Sequence, residues 1–501
     1  MTEILKYFAG GEFKSSATTE FYKVFDPSTG GHIANCPRLT LSEVKGVIEA
    51  AAEAYDGWSR TPVMKRAQIL FKVRGLIEKN LDELTMLVAK EHGKVWEEAK
   101  GDVLKAKEAT ELAIAAPALL QGDSLFDAST GYDTVSYREP LGVFAGISPF
   151  NFPAMIPMGW MAPLCVASGN TMVLKVAGAT PLTSLRFAEL YREAGLPAGV
   201  LNVFSCGRDE VQELLTNPLI KGISFVGSTK VGEYIYSTGT ARGKRVQALC
   251  EAKNHALVLE DVSVARTAAG IINAAFGCAG ERCMALPVVA VQESIADKLV
   301  AKLKGLASEL VVGPAYDKKS GLGPVYSAEH RADVIKKIEL GIKEGAELVL
   351  DGRNLTVKGF ENGFYLGPTI LDRVTEEMTV GTYEIFGPVL CVKRVKDFKE
   401  GLALMNRNPF ANGSVIYTRS GYYAREFARH TDAGMVGINV GIPVPVGYFP
   451  FAGHKRSFFG DLHTLGKDAF RFYTETKVVT SHWFDEEEEK RTKVNTWDGT
   501  I

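Results

Sequence analysis

Gly222-Ile223-Ser224-Phe225-Val226-Gly227-Ser228-Thr229-Lys230-Val231-Gly232 is a β-rich run that breaks at a glycine and continues into a helical stretch. Strand, glycine turn and helix together form half of a parallel crossover unit. The same punctuation recurs on both sides: runs at Val143 to Ile147, Thr171 to Leu174, Val200 to Val203 and Arg245 to Leu249 alternate with helical stretches. Such alternation predicts an α/β fold built on a doubly wound parallel sheet. The turn also sets the Gly227 and Ser228 amides at a helix start, where an anionic phosphate is accommodated. Neither common phosphate fingerprint is present, since G-x-G-x-x-G is absent and Glu233 stands where a Walker loop needs lysine after Gly232. From these residues alone, phosphate binding and a plain glycine turn both stay open.

Outward from this block, a second alternating series starts at Ala256 to Leu259, passes through Val288 to Val291 and extends to about residue 445, predicting a second α/β domain. Upstream, Val44, Val47, Ile48 and Ala51 repeat at helical spacing behind a Thr40/Glu43 capping-box pair. A further helix carries Ile69, Leu70, Val73, Leu76 and Ile77 on one face, with Pro62 in its first position. Around Tyr132 to Arg138 and Phe470 to His482, apolar or β-branched residues alternate with charged ones, as in the strands of an exposed arm. Asp485-Glu486-Glu487-Glu488-Glu489-Lys490 reads as a solvated tail.

The chain has 501 residues, 46% hydrophobic and 23% charged, which excludes global disorder. Lys and Arg total 57 against 59 Asp and Glu, so no basic excess exists to neutralise a nucleic-acid backbone. No run approaches the roughly 18 apolar residues of a bilayer span. Met1-Thr2-Glu3-Ile4-Leu5-Lys6 has no signal-peptide core, so the expectation is no membrane association and a cytoplasmic location. Seven scattered cysteines without a C-x-x-C pair predict free thiols and no metal site.

Four segments carry candidate chemistry. In Phe276-Gly277-Cys278-Ala279-Gly280-Glu281-Arg282-Cys283-Met284, Cys283 directly follows an arginine, and a nearby cation lowers a thiol pKa; an ordinary buried cysteine is the alternative. Cys278 has no adjacent charge and reads as structural. Pro149-Phe150-Asn151-Phe152-Pro153 restrains an amide that either donates to an oxyanion or simply makes a turn. Lys175 ends a β-run within reach of a ribose or phosphate, or is solvated, and Glu384-Ile385-Phe386-Gly387-Pro388 is a turn bearing a carboxylate and a ring.

The order and spacing of these segments resemble the aldehyde dehydrogenase superfamily over nearly the whole chain, from Tyr7–Phe13 to Phe470–Val479. Lys253-Asn254-His255, Gly280-Glu281-Arg282-Cys283-Met284-Ala285 and Phe449-Pro450-Phe451-Ala452-Gly453 are most similar to its CoA-acylating branch, the methylmalonate-semialdehyde dehydrogenases. The resemblance implies that Cys283 attacks an aldehyde, Asn151 and the Cys283 N–H hold the oxyanion, and NAD receives hydride. The cysteine thioester then passes to CoA with decarboxylation, giving propionyl-CoA or acetyl-CoA from methylmalonate or malonate semialdehyde. It implies cofactor contacts at Phe150, Lys175, Gly227, Ser228, Gly232, Glu384 and Phe386, and a substrate-carboxylate clamp of Arg282 and Lys105, the latter replacing an arginine.

The same resemblance implies a Rossmann-type nucleotide-binding domain over residues 1–123 and 143–253 and a catalytic domain over 254–445. An oligomerisation arm and C-terminal segment follow over 124–142 and 446–484, with a solvated tail over 485–501 and a homodimer or tetramer as the assembly. Three departures stand out. Leu249 occupies the place of the general base of hydrolytic relatives, which favours acyl transfer to CoA. Glu251 replaces a glycine, as a substitute base, an obstruction or the partner of a cation. Val176-Ala177-Gly178 lacks the acid that grips an adenosine ribose, which brings NADP in as a second nicotinamide. The alternatives are a non-acylating dehydrogenase of another small anionic aldehyde, a non-catalytic cofactor-binding protein, and an acyltransferase or esterase without nicotinamide.

Overall fold

The computed structural model describes residues 2–490. Val143–Ile147 is buried at every position because helices cover both faces of its sheet, which is why it reads as a continuous apolar run. It lies at the centre of an eight-stranded sheet. In spatial order, Arg245–Leu249, Ile220–Val226, Val143–Ile147, Thr171–Lys175 and Leu201–Phe204 run parallel. Antiparallel Phe458–Phe459 closes one edge, and the hairpin Tyr7–Ala9/Glu12–Lys14 closes the other. The register aligns Ile147 with both Lys175 and Phe225, and Val226 with Leu249. The loops after four strands therefore emerge at one level, forming the crevice where such sheets bind ligands.

Thr40 caps the helix Leu41–Ser59: its hydroxyl accepts from Glu43 N–H at 3.3 Å, while Glu43 Oε2 accepts from Thr40 N–H at 2.8 Å. Val44, Val47, Ile48 and Ala51 are its buried face, as their spacing predicts. The next helix is Val63–Lys79, and Pro62 precedes it instead of occupying its first position, because Pro62 has an extended ψ of 138°.

The second sheet has seven strands in the order Glu347–Leu350, Thr369–Asp372, Val389–Val395, Val288–Gln292, His255–Val258, Gly413–Tyr417 and Met435–Ile438. Only the first pairs antiparallel. A three-stranded arm projects from the body, with Thr474–His482 paired along its whole length to Tyr132–Pro140 and Ser124–Ser129 outside them. The expected strand at Phe470 starts later. Gly466–Phe472 is helical, since Ala469, Phe470 and Tyr473 turn inward onto the apolar core that holds Phe144, where Tyr473 meets Phe144 edge-on at 4.9 Å. Within the expected tail, Glu486–Glu489 makes one helical turn and residues 491–501 lie outside the described residues. Among the described residues, no helix is long and apolar enough to cross a membrane.

Candidate active site

The helix Val264–Phe276 ends at Gly277, and the chain then runs through the left-handed region at Cys278, Ala279 and Gly280, with φ of 50°, 52° and 74°. Left-handed backbone at non-glycine residues is strained and is kept only where surroundings enforce it. Gly280 shows the enforcement: a Cβ there would lie 2.0 Å from the Gly387 carbonyl oxygen. The turn 277–283 is thus pressed against the turn 384–388. Downstream, Asn254 Nδ2 donates to the carbonyls of Cys283, at 2.9 Å, and of Ala285, at 2.7 Å.

Cys283 is the one free cysteine that is not fully buried among the described residues. It opens onto a cavity of about 570 Å³ walled by Phe152, Met155, Trp160, Met284, Val444 and Phe451. Burial, then the Glu384 carboxylate, push its thiol up to about 12, against the pull of its own N–H and that of Met284. Arg282 acts on Cys283 through its charge alone and does not hydrogen-bond its thiol. Arg282 Nε donates to Cys278 Sγ at 3.1 Å and Nη2 to Glu98 Oε1 at 2.8 Å, so the guanidinium touches the other thiol. Cys278 still stays protonated, because burial pushes it up to about 11. Below its pKa, the thiolate fraction of Cys283 grows tenfold per pH unit. Iodoacetamide is therefore expected to modify Cys283 first, at a rate that climbs about tenfold per unit between pH 7 and 10. A rate plateau near pH 7, read by peptide mass spectrometry, contradicts this.

Asn151 is buried beside the same turn, and its Nδ2 donates to the carbonyl of Glu281 at 3.1 Å. A buried ion pair holds the segment after it: Lys94 Nζ lies 2.8 Å from Asp102 Oδ2 and over the Phe152 ring, while Asp102 Oδ1 accepts from Met155 N–H at 2.7 Å. Phe150 stacks on Tyr326 with centroids 3.7 Å apart and meets Phe386 edge-on at 6.0 Å. Behind these rings lies a trio invisible to sequence spacing, in which the buried Glu281 sits 3.7 Å from the buried His92 and 3.4 Å from the partly exposed His330. Burial raises the Glu281 carboxyl well above the usual range and lowers both imidazoles, so it disfavours charge on all three.

Both cations expected to clamp a substrate carboxylate carry a partner from the chain itself. Arg282 is paired with Glu98 and Lys105 with Glu108, at 2.8 and 2.6 Å. All four line the cavity that Cys283 opens onto. Leu249 packs in the apolar cluster with Met284, Phe451 and Phe458.

At the level strand ends, Lys175 is the last residue of its strand, with burial lowering its pKa and the Cys36 and Cys206 thiols beside it. Ser228 precedes the helix Thr229–Thr240 without capping it through its side chain, and Gly227 N–H is taken by Leu249 O at 3.0 Å. Gly232 lies inside the first turn, where its N–H bonds Ser228 O and a Cβ would meet Cys250 Sγ at 2.3 Å. Its place is set by close packing. Glu251 forms no ion pair among the described residues; its Oε2 accepts from Thr229 N–H at 2.9 Å. Glu384 Oε1 accepts from Ala252 N–H at 3.2 Å, and burial with Glu251 nearby pushes its carboxyl up to about 8. Phe386 has a φ of 60° and its carbonyl accepts from His330 Nε2 at 2.7 Å. At Gly178 a Cβ would sit 2.1 Å from the Tyr22 ring, so that ring fills the space of any side chain there.

The profile described as Aldehyde dehydrogenase family matches residues 13–479. Malonate-semialdehyde dehydrogenase 2 of Bacillus cereus is 48% identical over 482 residues, 96% of this chain and 98% of that protein. The crystal structure of methylmalonate-semialdehyde dehydrogenase from Oceanimonas doudoroffii superposes with a TM-score of 0.95 at 42% identity, covering 98% of this chain and all of that one (100%). A Sinorhizobium meliloti structure described as a methylmalonate-semialdehyde dehydrogenase and complexed with NAD gives a TM-score of 0.95 at 40% identity, covering 97% and 99%.

Proposed function

The chain belongs to the aldehyde dehydrogenase family, and from that premise we propose that it oxidises malonate or methylmalonate semialdehyde with NAD and transfers the acyl group to CoA. The observation that carries the acylating reading is Leu249. The residue in the hydrolytic base's position is a buried apolar side chain, which cannot take a proton from water.

The crevice fits a nicotinamide dinucleotide at three points: the buried Lys175 at a strand end, the helix start without a side-chain cap at Ser228, and the turn bearing Glu384 and Phe386. Glu251 on Thr229 N–H is the point of conflict. NAD, when bound, supplies the hydride acceptor, and the remaining chemistry belongs to the chain. Cys283 Sγ gives its proton to solvent in the cavity and bonds the aldehyde carbon as the thiolate. The oxygen of that carbon becomes an oxyanion for which the Cys283 N–H and the Asn151 amide are the donors. The carbon, once oxidised, is a thioester on Cys283; the substrate carboxylate leaves as carbon dioxide, the carbon that bore it takes up a proton, and the CoA thiolate displaces the Cys283 thiolate from the acyl carbon. A carboxylate on the aldehyde competes with Glu98 for Arg282 and with Glu108 for Lys105, so the clamp opens by exchange of ion-pair partners.

Gly178 removes the acidic residue that discriminates against NADP, which keeps NADP as a second nicotinamide. Seven unpaired thiols support a cytoplasmic location, where they stay reduced. The arm exposes Leu125, Phe126, Val478 and Trp483, at 62%, 79%, 61% and 66%, which supports pairing with other copies as a dimer or tetramer.

NADH absorbance with malonate semialdehyde tests the reading. Sustained turnover is expected with CoA, and a single burst of one NADH per active site without it. Equal steady rates without CoA overturn acylation and leave a hydrolytic dehydrogenase.

A further inference from the structure

Glu251 stands on the residue where the chain leaves the first sheet for the second, and its backbone is pinned on both sides. Ser457 Oγ donates to its carbonyl at 2.7 Å, and the next amide, Ala252 N–H, donates to Glu384 Oε1. From that fixed base the side chain crosses the crevice to Thr229 N–H, 2.9 Å away. The twelve-residue helix beginning there receives no cap from the Ser228 side chain, so the Glu251 carboxylate supplies the acceptor at its N-terminus. Free N–H groups and the positive end of a helix dipole make this position an anion site. In this chain the anion is one of its own side chains. A second carboxyl, Glu384, lies close enough for Glu251 to raise its pKa.

We infer that Glu251 is a built-in competitor for the diphosphate of the nicotinamide dinucleotide: its carboxylate holds the helix N-terminus and must leave before the dinucleotide seats. The inference rests on the reading that this crevice takes a dinucleotide. Two groups of like charge cannot share one N–H, and a diphosphate brought beside a fixed carboxylate is repelled. Displacement therefore has to move the Glu251 side chain, since its backbone is tied to Ser457 and, through Ala252, to Glu384. The effect falls on NAD and NADP alike, because both carry the diphosphate. It is separate from the packing of Tyr22 on Gly178, which acts at another strand end and bears on the choice between them.

Isothermal titration of the full-length protein with ADP-ribose and with NADH, without aldehyde or CoA, tests this directly. Glu251→Gly is expected to tighten both ligands at least tenfold, and Glu251→Gln, which keeps the shape and an acceptor oxygen but not the charge, to tighten them by less. Thermal unfolding identifies a misfolded variant. It should also show Glu251→Gly melting lower without ligand and gaining more from ADP-ribose than the parent does. Equal or weaker binding by a folded Glu251→Gly, with the parent binding measurably, overturns the role of Glu251 and leaves the oxidoreductase reading intact. Absence of ADP-ribose binding in the parent and both variants overturns the two together.

Discussion

Cys283→Ala is expected to lower NADH formation by about four orders of magnitude or more, to the level of the solution reaction, because no bond to the aldehyde carbon then forms before hydride loss. The change removes one sulphur from the edge of a cavity that already exists, so the fold and ADP-ribose binding should be preserved. None of the other six cysteines can substitute. All are buried, and Cys278, the nearest in sequence, is engaged by Arg282 Nε. Stopped-flow absorbance is the measurement, and a residual burst in the variant counts against Cys283 as nucleophile.

Asn151→Ala is the second large effect, a fall in kcat of about 10²- to 10³-fold, the usual cost of deleting one oxyanion donor. Asn151 Nδ2 already donates one hydrogen to the Glu281 carbonyl, which fixes the amide's orientation and leaves its second hydrogen for the substrate oxygen. A donor needed only as charge develops affects kcat more than KM. The variant should therefore bind aldehyde nearly as well as the parent while reacting slowly. A rise in KM at constant kcat identifies Asn151 as a binding residue instead.

What the sequence disclosed follows from how far apart the interacting residues lie. The parallel strands were legible because burial on both faces writes continuous Val and Ile runs, and Thr40 with Glu43 because a capping box spans four residues. Phe470 and Phe472 misled for a local reason: their alternation suits a strand, but docking of Phe470 and Tyr473 onto the core selects a helix. The partners of the site residues were out of reach. Arg282 meets Glu98 across 184 positions and Asn151 meets Glu281 across 130, distances that no spacing rule encodes. Resemblance placed Asn151 and Cys283 in one reaction but carried no sign of the Glu281, His92 and His330 trio. Glu251 was conspicuous as a carboxylate replacing glycine, yet its partner Thr229 follows only from the level ends of two neighbouring strands.

The contact of Gly280 with the Gly387 carbonyl bears on how the site opens. Two turns more than a hundred residues apart in the chain are packed with no room for a Cβ between them, and His330 bridges them from the Phe386 carbonyl to Glu281. Local unfolding of this region is then one cooperative event with a single opening free energy, shared by the amides on both turns. The nucleophile and the Glu384 turn would lose order together and recover it together.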